Sequence, residues 1–463
     1  MERVIVWFRK DLRLSDNPCI AEAVHLDFAI VPVFVWNNSQ NDPWVPGAAS
    51  RWWLHKALGS LGDTIRHKSG ELQVLEGEPS TLLTKLAQDN QCSALYFGRQ
   101  YDPYGIAEQE KVQSALKNAN IPWKSFNTHL VAEPWENLQE NGKGYQVFTR
   151  FWKQCRKYLT RTPTPYADSK IRFAPPQGSG SSRLPPAIFL SQNWQQKLCA
   201  HWKISEQAGL DKLGNTIGSI LKSYRYKRNR PAQSGTSRLS PYLAWGLVSP
   251  QRVVQEILAA KDEENRDGVS KFLAELGWRE FAYHLLYHQP QITSSPLNPR
   301  FANFPTQFDP ELFEKWKAGQ TGYPMVDAGM RELWETGWMH NRARMLVASF
   351  LVKNLLIPWQ EGAKWFWDTL VDADLANNSA GWQWSASSGV DYRFRVFNPA
   401  LQGAKFDAKG EYARKWLPGL SAFSGSQIHA QKREDNQLGE SYPPPCVDYH
   451  GARKRALELF KAL

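Results

Sequence analysis

Apolar residues in the first 130 positions form short runs that alternate with longer amphipathic stretches. The runs are rich in Val, Ile and aromatic residues and lie at 4–8, 28–36, 72–77 and 94–98. Between them, stretches 49–68 and 79–90 carry apolar residues at helical spacing. Short β-branched runs that alternate with helical patterns are typical of a parallel sheet covered by helices.

After residue 206 the pattern changes, and the apolar spacing becomes that of helices throughout. The clearest helical segments are 253–265, 271–288, 325–338 and 341–356. From 131 to 205 the pattern is looser, and 174–186 is rich in Pro, Gly and Ser, as in an interdomain connector. We therefore predict an α/β domain at 1–130, a connector at 131–205 and an all-helical domain at 206–463.

The composition is that of a globular protein, with 42% hydrophobic and 22% charged residues among 463. No apolar run approaches the roughly 20 residues that span a bilayer. Charges interrupt the first apolar segment, unlike in a secretory signal. We expect a cytosolic protein with no membrane contact. The five cysteines form no CxxC pair, so we expect neither disulfides nor a metal site.

Two features of the composition point to specific chemistry. The net charge is +11, which favours a polyanionic partner. The chain also has 21 Trp residues, more than a core alone needs. We expect some of them to form stacking surfaces or electron-transfer relays.

The stretch DADLANNSAGWQWSASSG, residues 372–389, places acids, amides and indoles side by side. In the simpler interpretation, Asp372 and Asp374 cap a helix that enters a core. In the other, the stretch forms a site that needs a charge, a polar contact and a redox-active ring. The stretch HNRARM supplies a partner, because the strongly apolar flanks of Arg344 indicate that it is buried. A buried Arg344 needs a carboxylate such as Asp372 or Asp374.

Two other motifs have a structural and a functional interpretation each. TSRLSP at 236–241 is either an ordinary helix start or a phosphate cradle, and Tyr224 and Arg228 upstream favour the cradle. In ELGWREF, Glu275 and Trp278 share a helix face. They are either a surface acid and a core indole, or a hydrogen-bond acceptor and a stacking ring for a heterocycle.

Several long motifs in one order resemble the photolyase/cryptochrome family over nearly the whole chain. They are WFRKDLRLSDNP, TSRLSP, WREF, TGYPMVDAGMRELWETGWMHNRARM, DTLVDADLANNSAGWQW and FNPALQGAKFD. Within the family the chain looks most like bacterial cyclobutane pyrimidine dimer (CPD) photolyases, either class III-like or class I. The resemblance implies light-driven repair of such dimers in UV-damaged DNA by electron transfer from excited, reduced FAD, the activity of a deoxyribodipyrimidine photo-lyase. The alternative is a blue-light photoreceptor with little or no repair activity, which we expect less because the chain stops soon after the helical domain.

The resemblance also implies roles for individual residues. FAD is expected to bind Tyr224, Thr236, Ser237, Arg238, Leu239, Ser240, Arg279, Arg344, Asp372, Asp374 and Asn378. The dimer is expected to contact Glu275, Trp278, Asn341, Met345 and Trp384. Electrons are expected to reach the flavin through Trp382 and Trp359. The damaged strand is expected to contact Arg228, Arg342, Arg395, Gln402 and Lys405.

Three expectations complete this picture. Thr306 occupies the position where the family commonly has a third, distal Trp, so photoreduction is expected to be weaker or to use Trp334, Trp338 or a Tyr. An antenna chromophore in the first domain is expected to be methenyltetrahydrofolate or 8-hydroxy-deazaflavin. The Tyr104–Gly105 pair leaves both open, and the absence of an antenna is the third alternative. We expect a monomer with DNA as its partner and no obligate protein partner.

Overall fold

The computed structural model describes residues 1–37, 43–161, 165–175, 191–391, 393–430, 438–439 and 442–463. The chain divides into two compact units. Unit 1 comprises Met1–Ser191, Trp202–Leu221 and Ser237–Pro290, and unit 2 comprises Gln192–His201, Lys222–Thr236 and Gln291–Leu463.

Unit 1 contains a five-stranded, entirely parallel sheet with the order β3-β2-β1-β4-β5. The strands are β1 (Arg3–Phe8), β2 (Ala29–Trp36), β3 (Gln73–Glu76), β4 (Cys92–Gly98) and β5 (Trp123–Phe126). Val4, Ile5 and Val6 are all fully buried, which explains why β1 is a continuous apolar run. The predicted α/β class is confirmed, although β5 was missed because its sequence, WKSF, is exposed or half-buried and has no apolar run.

The helices follow in chain order. They are α1 (Pro18–His25), α2 (Ala48–His67), α3 (Pro79–Asp89), α4 (Pro103–Asn118), α5 (Phe148–Cys155), α6 (Gln192–His201), α7 (Glu206–Asn215), α8 (Tyr224–Lys227), α9 (Ser240–Ala244), α10 (Pro250–Ala259), α11 (Arg266–His288), α12 (Pro310–Lys317), α13 (Pro324–Thr336), α14 (Asn341–Ser349), α15 (Trp359–Thr369), α16 (Leu375–Ala386), α17 (Pro399–Phe406), α18 (Glu411–Trp416), α19 (Gly425–Ile428) and α20 (Tyr449–Lys461). Two π-helical turns lie at Thr216–Ile220 and Phe350–Asn354. The all-helical second half is confirmed.

Two predicted helices are shorter than their apolar patterns. The helix predicted over 253–265 ends at Ala259, because Asp262 and Asn265 exchange side-chain and backbone hydrogen bonds that form a turn. The helix predicted over 341–356 changes from α to π geometry after Ser349. Such π turns are frequent at functional sites.

The predicted domain boundaries differ from the division into compact units. Helices α10 and α11 belong to unit 1 with the sheet, whereas the sequence pattern groups them with the helical half. Most of the Pro-rich stretch 174–186 lies outside the described residues. The boundaries 1–130, 131–205 and 206–463 therefore stay a prediction. No helix within the described ranges is both long enough and apolar enough to cross a membrane.

Candidate active site

An ion pair connects the start of α14 with the residues that precede α16 in unit 2. Arg344 Nη2 lies 3.0 Å from Asp372 Oδ1 and 2.8 Å from Asp372 Oδ2. The predicted pairing of Arg344 with a carboxylate is confirmed, and Asp372 is its partner. The expectation that Arg344 is buried is wrong, since a quarter of its side chain is exposed while that of Asp372 is only 2% exposed. The guanidinium also donates from its Nε to the backbone oxygen of Met339, just before α14, at 2.8 Å.

The two acids of the DAD sequence have different roles. Asp374 is the N-cap of α16, where its Oδ1 accepts from the backbone N–H of Asn377 at 2.9 Å and from its side-chain amide at 2.6 Å. The capping interpretation therefore holds for Asp374, whereas Asp372 pairs with Arg344. One residue further along α16, Asn378 donates its side-chain amide to the oxygen of Ala363 at 3.0 Å.

Trp382 lies in the core of unit 2, with 2% of its surface exposed. Gly362 on α15 allows this, because a methyl group there would overlap the Trp382 ring. Two aromatic rings lie close to Trp382, Phe366 at 5.0 Å and Trp316 at 6.4 Å between centroids. Trp359, at the first position of α15, is buried in the same hydrophobic cluster.

Trp316 was not predicted as a neighbour of Trp382. Trp316 is fully buried on α12, and its indole N–H donates to the oxygen of Val347. Its spacing from Phe313 marks an ordinary apolar helix face, so the sequence offered no signal for this contact. Thr306, at the expected distal position, is exposed.

A second group of indoles in unit 2 forms a stacked column. Trp334 lies between Trp194 and Trp365, with centroid distances of 4.8 Å and 6.0 Å and nearly parallel planes. The Trp334 side chain is 44% exposed, so the column reaches solvent. Trp338, the other predicted side branch, lies instead beside His340 and under the Arg344 guanidinium.

Three of the predicted dimer contacts belong to unit 2. Asn341 and Met345 meet on one face of α14, with the amide nitrogen 3.9 Å from the sulfur, as their spacing predicts. Trp384 is half-buried on α16, with Phe397 at 6.2 Å and the Arg395 guanidinium 6.0 Å from its ring centre. Trp384 and Arg395, predicted separately for the lesion and for DNA, are thus neighbours.

The structure also groups other predicted DNA contacts. Arg342 Nε donates to Asn229 Oδ1 at 2.9 Å, and Arg230 Nη1 donates to the oxygen of Lys405 at 2.7 Å. The basic tract SYRYKRNR, residues 223–230, which contains Arg228, therefore lies against the beginning of α14 and against α17. Gln402 lies on α17, one turn before Lys405.

The other two predicted dimer contacts are on α11 in unit 1. Glu275 pairs with Lys271 at 2.7 Å, one turn earlier on the helix. Trp278 is 41% exposed and stacks on Phe148 with a centroid distance of 3.7 Å and nearly parallel rings. The sequence indicated neither of these two contacts, Lys271 with Glu275 and Phe148 with Trp278.

Arg279, predicted to bind the cofactor, lies in a buried network of unit 1. Its guanidinium donates to the backbone oxygen of His129 at 3.0 Å and lies 3.1 Å from Glu280 Oε1. Its Nη2 also lies 2.7 Å from His129 Nε2. Burial and then the charge of Arg279 lower the pKa of His129 well below its usual range. These contacts connect α11 with residues 129–132, and a role for Arg279 at a cofactor stays a prediction.

The TSRLSP motif does not begin its helix with an ordinary side-chain cap. Leu239 is the N-cap of α9, and the Ser237 hydroxyl accepts a 3.3 Å bond from its N–H. Arg238 has a positive φ of 53° and holds its guanidinium 5.1 Å from the Trp202 ring centre. Thr236 belongs to unit 2 and Ser237 to Ser240 belong to unit 1.

Comparison with known families matches both halves of the chain. Residues 4–168 match the model "DNA photolyase", and residues 272–462 match "FAD binding domain of DNA photolyase". A deoxyribodipyrimidine photo-lyase of Agrobacterium fabrum is 39% identical over 99% of this chain and 98% of its own length. The chain belongs to the photolyase/cryptochrome family.

Two further relatives define its place in the photolyase/cryptochrome family. The crystal structure of a bacterial class III photolyase from Agrobacterium tumefaciens has a TM-score of 0.93 and 39% identity, and covers 100% of this chain and 98% of that one. This similarity agrees with the class III-like prediction. Cryptochrome-2 of Arabidopsis thaliana is 34% identical over 98% of this chain and 78% of its own length.

The polar groups of unit 2 have the chemistry that a flavin of this family needs. The edge of an isoalloxazine ring carries both hydrogen-bond donors and acceptors. Arg344 supplies donors, Asp372 and Asp374 supply acceptors, and Asn378 supplies an amide, all from α14 and the beginning of α16. The donor set therefore fits such a ring.

Proposed function

We propose that this protein is a deoxyribodipyrimidine photo-lyase that repairs cyclobutane pyrimidine dimers in UV-damaged DNA under blue light. The observation that carries the proposal is the Arg344–Asp372 ion pair, which lies beside the helix that carries Asn378, Trp382 and Trp384. The photo-lyase relative from Agrobacterium fabrum, similar over nearly its full length, supports the same activity.

The chemistry that bound FAD supplies is light-driven donation of an electron to the dimer. We assign its phosphates to Tyr224 and the stretch from Thr236 to Ser240, which includes Ser237, Arg238 and Leu239. Arg279 is assigned to FAD as a further contact. Arg344, Asp372 and Asp374 hold the ring, and Asn378 presents its amide to it. The Asn378–Ala363 hydrogen bond supports this assignment, because it fixes the orientation of the amide.

For the lesion, we assign Glu275 as an acceptor of hydrogen bonds from the pyrimidine imides. Trp278 and Trp384 stack on the dimer rings, and Asn341 and Met345 line the pocket. A base that is flipped out of the duplex needs such aromatic and apolar surfaces, which replace the lost stacking and exclude water. The half-exposed rings of Trp278 and Trp384 are suited to this role.

The DNA backbone is assigned to Arg228, Arg342, Arg395, Gln402 and Lys405. The grouping of the basic tract with α14 and α17 supports this assignment, because a charged surface of this kind neutralises phosphates. We assign Trp382 and Trp359 to the path by which electrons reach the flavin in photoreduction.

The decisive experiment is repair of a defined thymine dimer. A duplex with one dimer is incubated with the FAD-loaded protein either under blue light or in the dark. We expect restoration of the intact thymines in the light and none in the dark. An absence of repair by the fully reduced holoprotein would contradict the proposal.

A photoreceptor function is the second candidate, and the similarity to Arabidopsis cryptochrome-2 favours it. It predicts light-dependent flavin reduction without dimer repair, so the same assay separates the two functions. We further propose an antenna in unit 1, with methenyltetrahydrofolate and 8-hydroxy-deazaflavin as the alternatives, which the absorption spectrum of the extracted chromophore distinguishes. We also propose that the protein acts as a monomer in the bacterial cytosol.

A further inference from the structure

Lys353 is a buried lysine that bridges two parts of unit 2. It lies in the π-helical turn after α14, and its side chain is fully enclosed by protein, with 2% of the residue exposed. Its Nζ donates to Ser387 Oγ at 2.8 Å and to the backbone oxygen of Arg395 at 2.7 Å. Ser387 follows α16, which carries Trp384, so one ammonium group connects α16 with segment 393–397.

These hydrogen-bond partners are unusual for a buried cation. Lysine is almost never fully buried unless it is paired with an acid. Here a hydroxyl and a carbonyl accept the hydrogen bonds, and the Phe394 ring lies 4.8 Å from Nζ. An apolar side chain of the same length would avoid the desolvation of the charge. We therefore infer that the lysine is needed for the geometry that its hydrogen bonds impose, rather than for stability alone.

Segment 393–397 is also held from its other side. Phe394 stacks on Phe460 of α20 at 4.4 Å, with the rings nearly parallel. Ser387 has a positive φ of 64°, and its hydroxyl donates to the oxygen of Arg393 at 3.1 Å. Phe394 therefore packs between Lys353 and α20, and the backbone of Arg395 has a defined position.

The exposed side of the segment carries the functional group. The Arg395 guanidinium lies 6.0 Å from the centre of the Trp384 ring and 3.2 Å from Asp391. We propose that Lys353 is a positioning residue for lesion binding, which holds segment 393–397 so that Arg395 stays beside Trp384. This inference rests on the proposed function, in which Arg395 contacts phosphate and Trp384 contacts the dimer.

The test uses the full-length, FAD-loaded protein with Lys353→Met, which preserves chain length and removes both hydrogen bonds. Lys364→Met is the matched control, because Lys364 is exposed and pairs only with a residue of its own helix. Binding of a dimer-containing duplex, repair at saturating duplex and FAD content are measured for both. Amide hydrogen exchange of 393–397 is followed without DNA.

We expect Lys353→Met to weaken binding of the dimer-containing duplex by about tenfold. This is the effect of losing one charge-assisted hydrogen bond, that of Arg395 to phosphate. Repair at saturation should stay within about twofold, because the residue does not act on the bound dimer. FAD content should be unchanged, and exchange of 393–397 should become faster. Lys364→Met should change none of these.

Unchanged exchange and unchanged binding in Lys353→Met would overturn the inference, as would equal losses of binding, repair and FAD content. If Lys353→Met does not fold, Ser387→Ala takes its place, because it removes one acceptor and the bond to Arg393. Suppose that exchange of 393–397 becomes faster in Lys353→Met, but the wild type does not distinguish damaged from undamaged DNA. This outcome would support the role of Lys353 in holding segment 393–397 and contradict the proposed function. The two failures are therefore distinguishable.

Discussion

The side-chain amide of Asn378 donates a 3.0 Å hydrogen bond to the backbone oxygen of Ala363 on the neighbouring helix α15. The bond fixes which end of the amide faces Ala363. A carboxylate at this position has no N–H to donate, and it would place its charge against a carbonyl oxygen. The pair therefore gives a sharp test of the proposed flavin site.

We expect Asn378→Asp to lower the free energy of unfolding by about 0.5–1.5 kcal/mol, the contribution of a partly buried hydrogen bond. It should also lower the retention of reduced FAD, because the negative charge of the new aspartate disfavours a reduced, anionic flavin ring. Thermal unfolding and the flavin spectrum after reduction measure both effects. Asn303→Asp, at an exposed position, is the control. Unchanged retention of reduced FAD would argue against the assignment of Asn378.

Glu275 offers a test of the lesion site. Glu275→Ala removes an acceptor for the dimer imides and should weaken dimer binding by about tenfold or more, as for a hydrogen bond to a charged group. Repair per photon should fall more than FAD content. Lys271→Ala breaks the same intrahelical ion pair but keeps the carboxylate, so it should have a much smaller effect. Equal effects of the two variants would indicate that only the ion pair matters.

The basic surface near α14 and α17 predicts a steep salt dependence. Each lysine or arginine that contacts phosphate releases a counterion, so the slope of log K against log salt is about −0.9 per contact on duplex DNA. Arg342→Ala and Lys405→Ala should each reduce this slope by about 1 without changing the preference for damaged DNA. Fluorescence anisotropy at several salt concentrations measures it. Equal affinity for damaged and undamaged duplexes would contradict the lesion pocket.

The sequence predicted the sheet and the helical second half, because each leaves a local pattern. It also limited the partner of Arg344 to two acids, Asp372 and Asp374, of which the structure selects Asp372. Strand β5 left none, since an edge strand buries little, and its four residues form no apolar run. Contacts distant in sequence also left none: Trp316 beside Trp382, Phe148 on Trp278, and Lys353 between Ser387 and Arg395. Apolar spacing shows that a residue is buried, but it does not show which partner it meets.

The position of the π turn could not be predicted for the same reason. NRARMLVASFLVKNLL is continuous in its helical spacing, so the sequence gives no indication that Lys353 leaves the α-helical register. A lysine within an apolar run looks like a helix position exposed to solvent. Its buried location follows from two acceptors that lie 34 and 42 residues further along the chain.

The burial of Lys353 predicts a dependence of stability on pH. Burial, and then the charge of Arg395, lower the pKa of Lys353 to about 7, although Asp391 opposes the shift. Between this value and about 10.4, the ordinary value for lysine, the unfolded chain binds a proton that the folded chain does not. The contribution of Lys353 to stability should therefore rise with pH across this window.

The measurement is thermal unfolding of the wild type and of Lys353→Met from pH 6 to pH 10. Relative to the variant, the wild type should gain up to about 1.4 kcal/mol per pH unit above neutrality. The neutral amine still has N–H groups for Ser387 and Arg395, so segment 393–397 should stay in place. A difference that is constant with pH would mean that Lys353 keeps its charge at all these values.

The last prediction concerns photoreduction. Trp382 is buried, and its nearest aromatic neighbours are Phe366 and Trp316, whereas Thr306 is exposed and has no aromatic ring. We therefore expect a positive charge that starts at Trp382 to stop at a buried indole such as Trp359 or Trp316, or to leave by a side branch such as Trp334 or Trp338. An oxidised indole in the core lies closer to the flavin than one at the surface. Charge recombination between the reduced flavin and this indole should therefore compete better with net flavin reduction.

We expect light-driven reduction of bound FAD with a lower yield than in relatives that have a distal Trp. Trp382→Phe should nearly abolish it, because phenylalanine is much harder to oxidise than tryptophan. Thr306→Trp should raise the yield, since it adds an exposed terminus for the charge. Trp316→Phe should lower it if Trp316 serves as a branch, while Trp365→Phe, in the separate stacked column, is the matched indole control. Illumination of oxidised protein with a reductant, followed by absorption, gives the yield.

Repair by chemically reduced protein should be unaffected by any of these substitutions, because the dimer receives its electron from a flavin that is already reduced. That control separates a loss of photoreduction from damage to the lesion site. If Trp382→Phe left photoreduction intact, electrons would enter from elsewhere. A matching loss in Trp365→Phe would then identify the column of Trp194, Trp334 and Trp365 as the path, because its middle member, Trp334, is exposed to solvent and can be reduced again there.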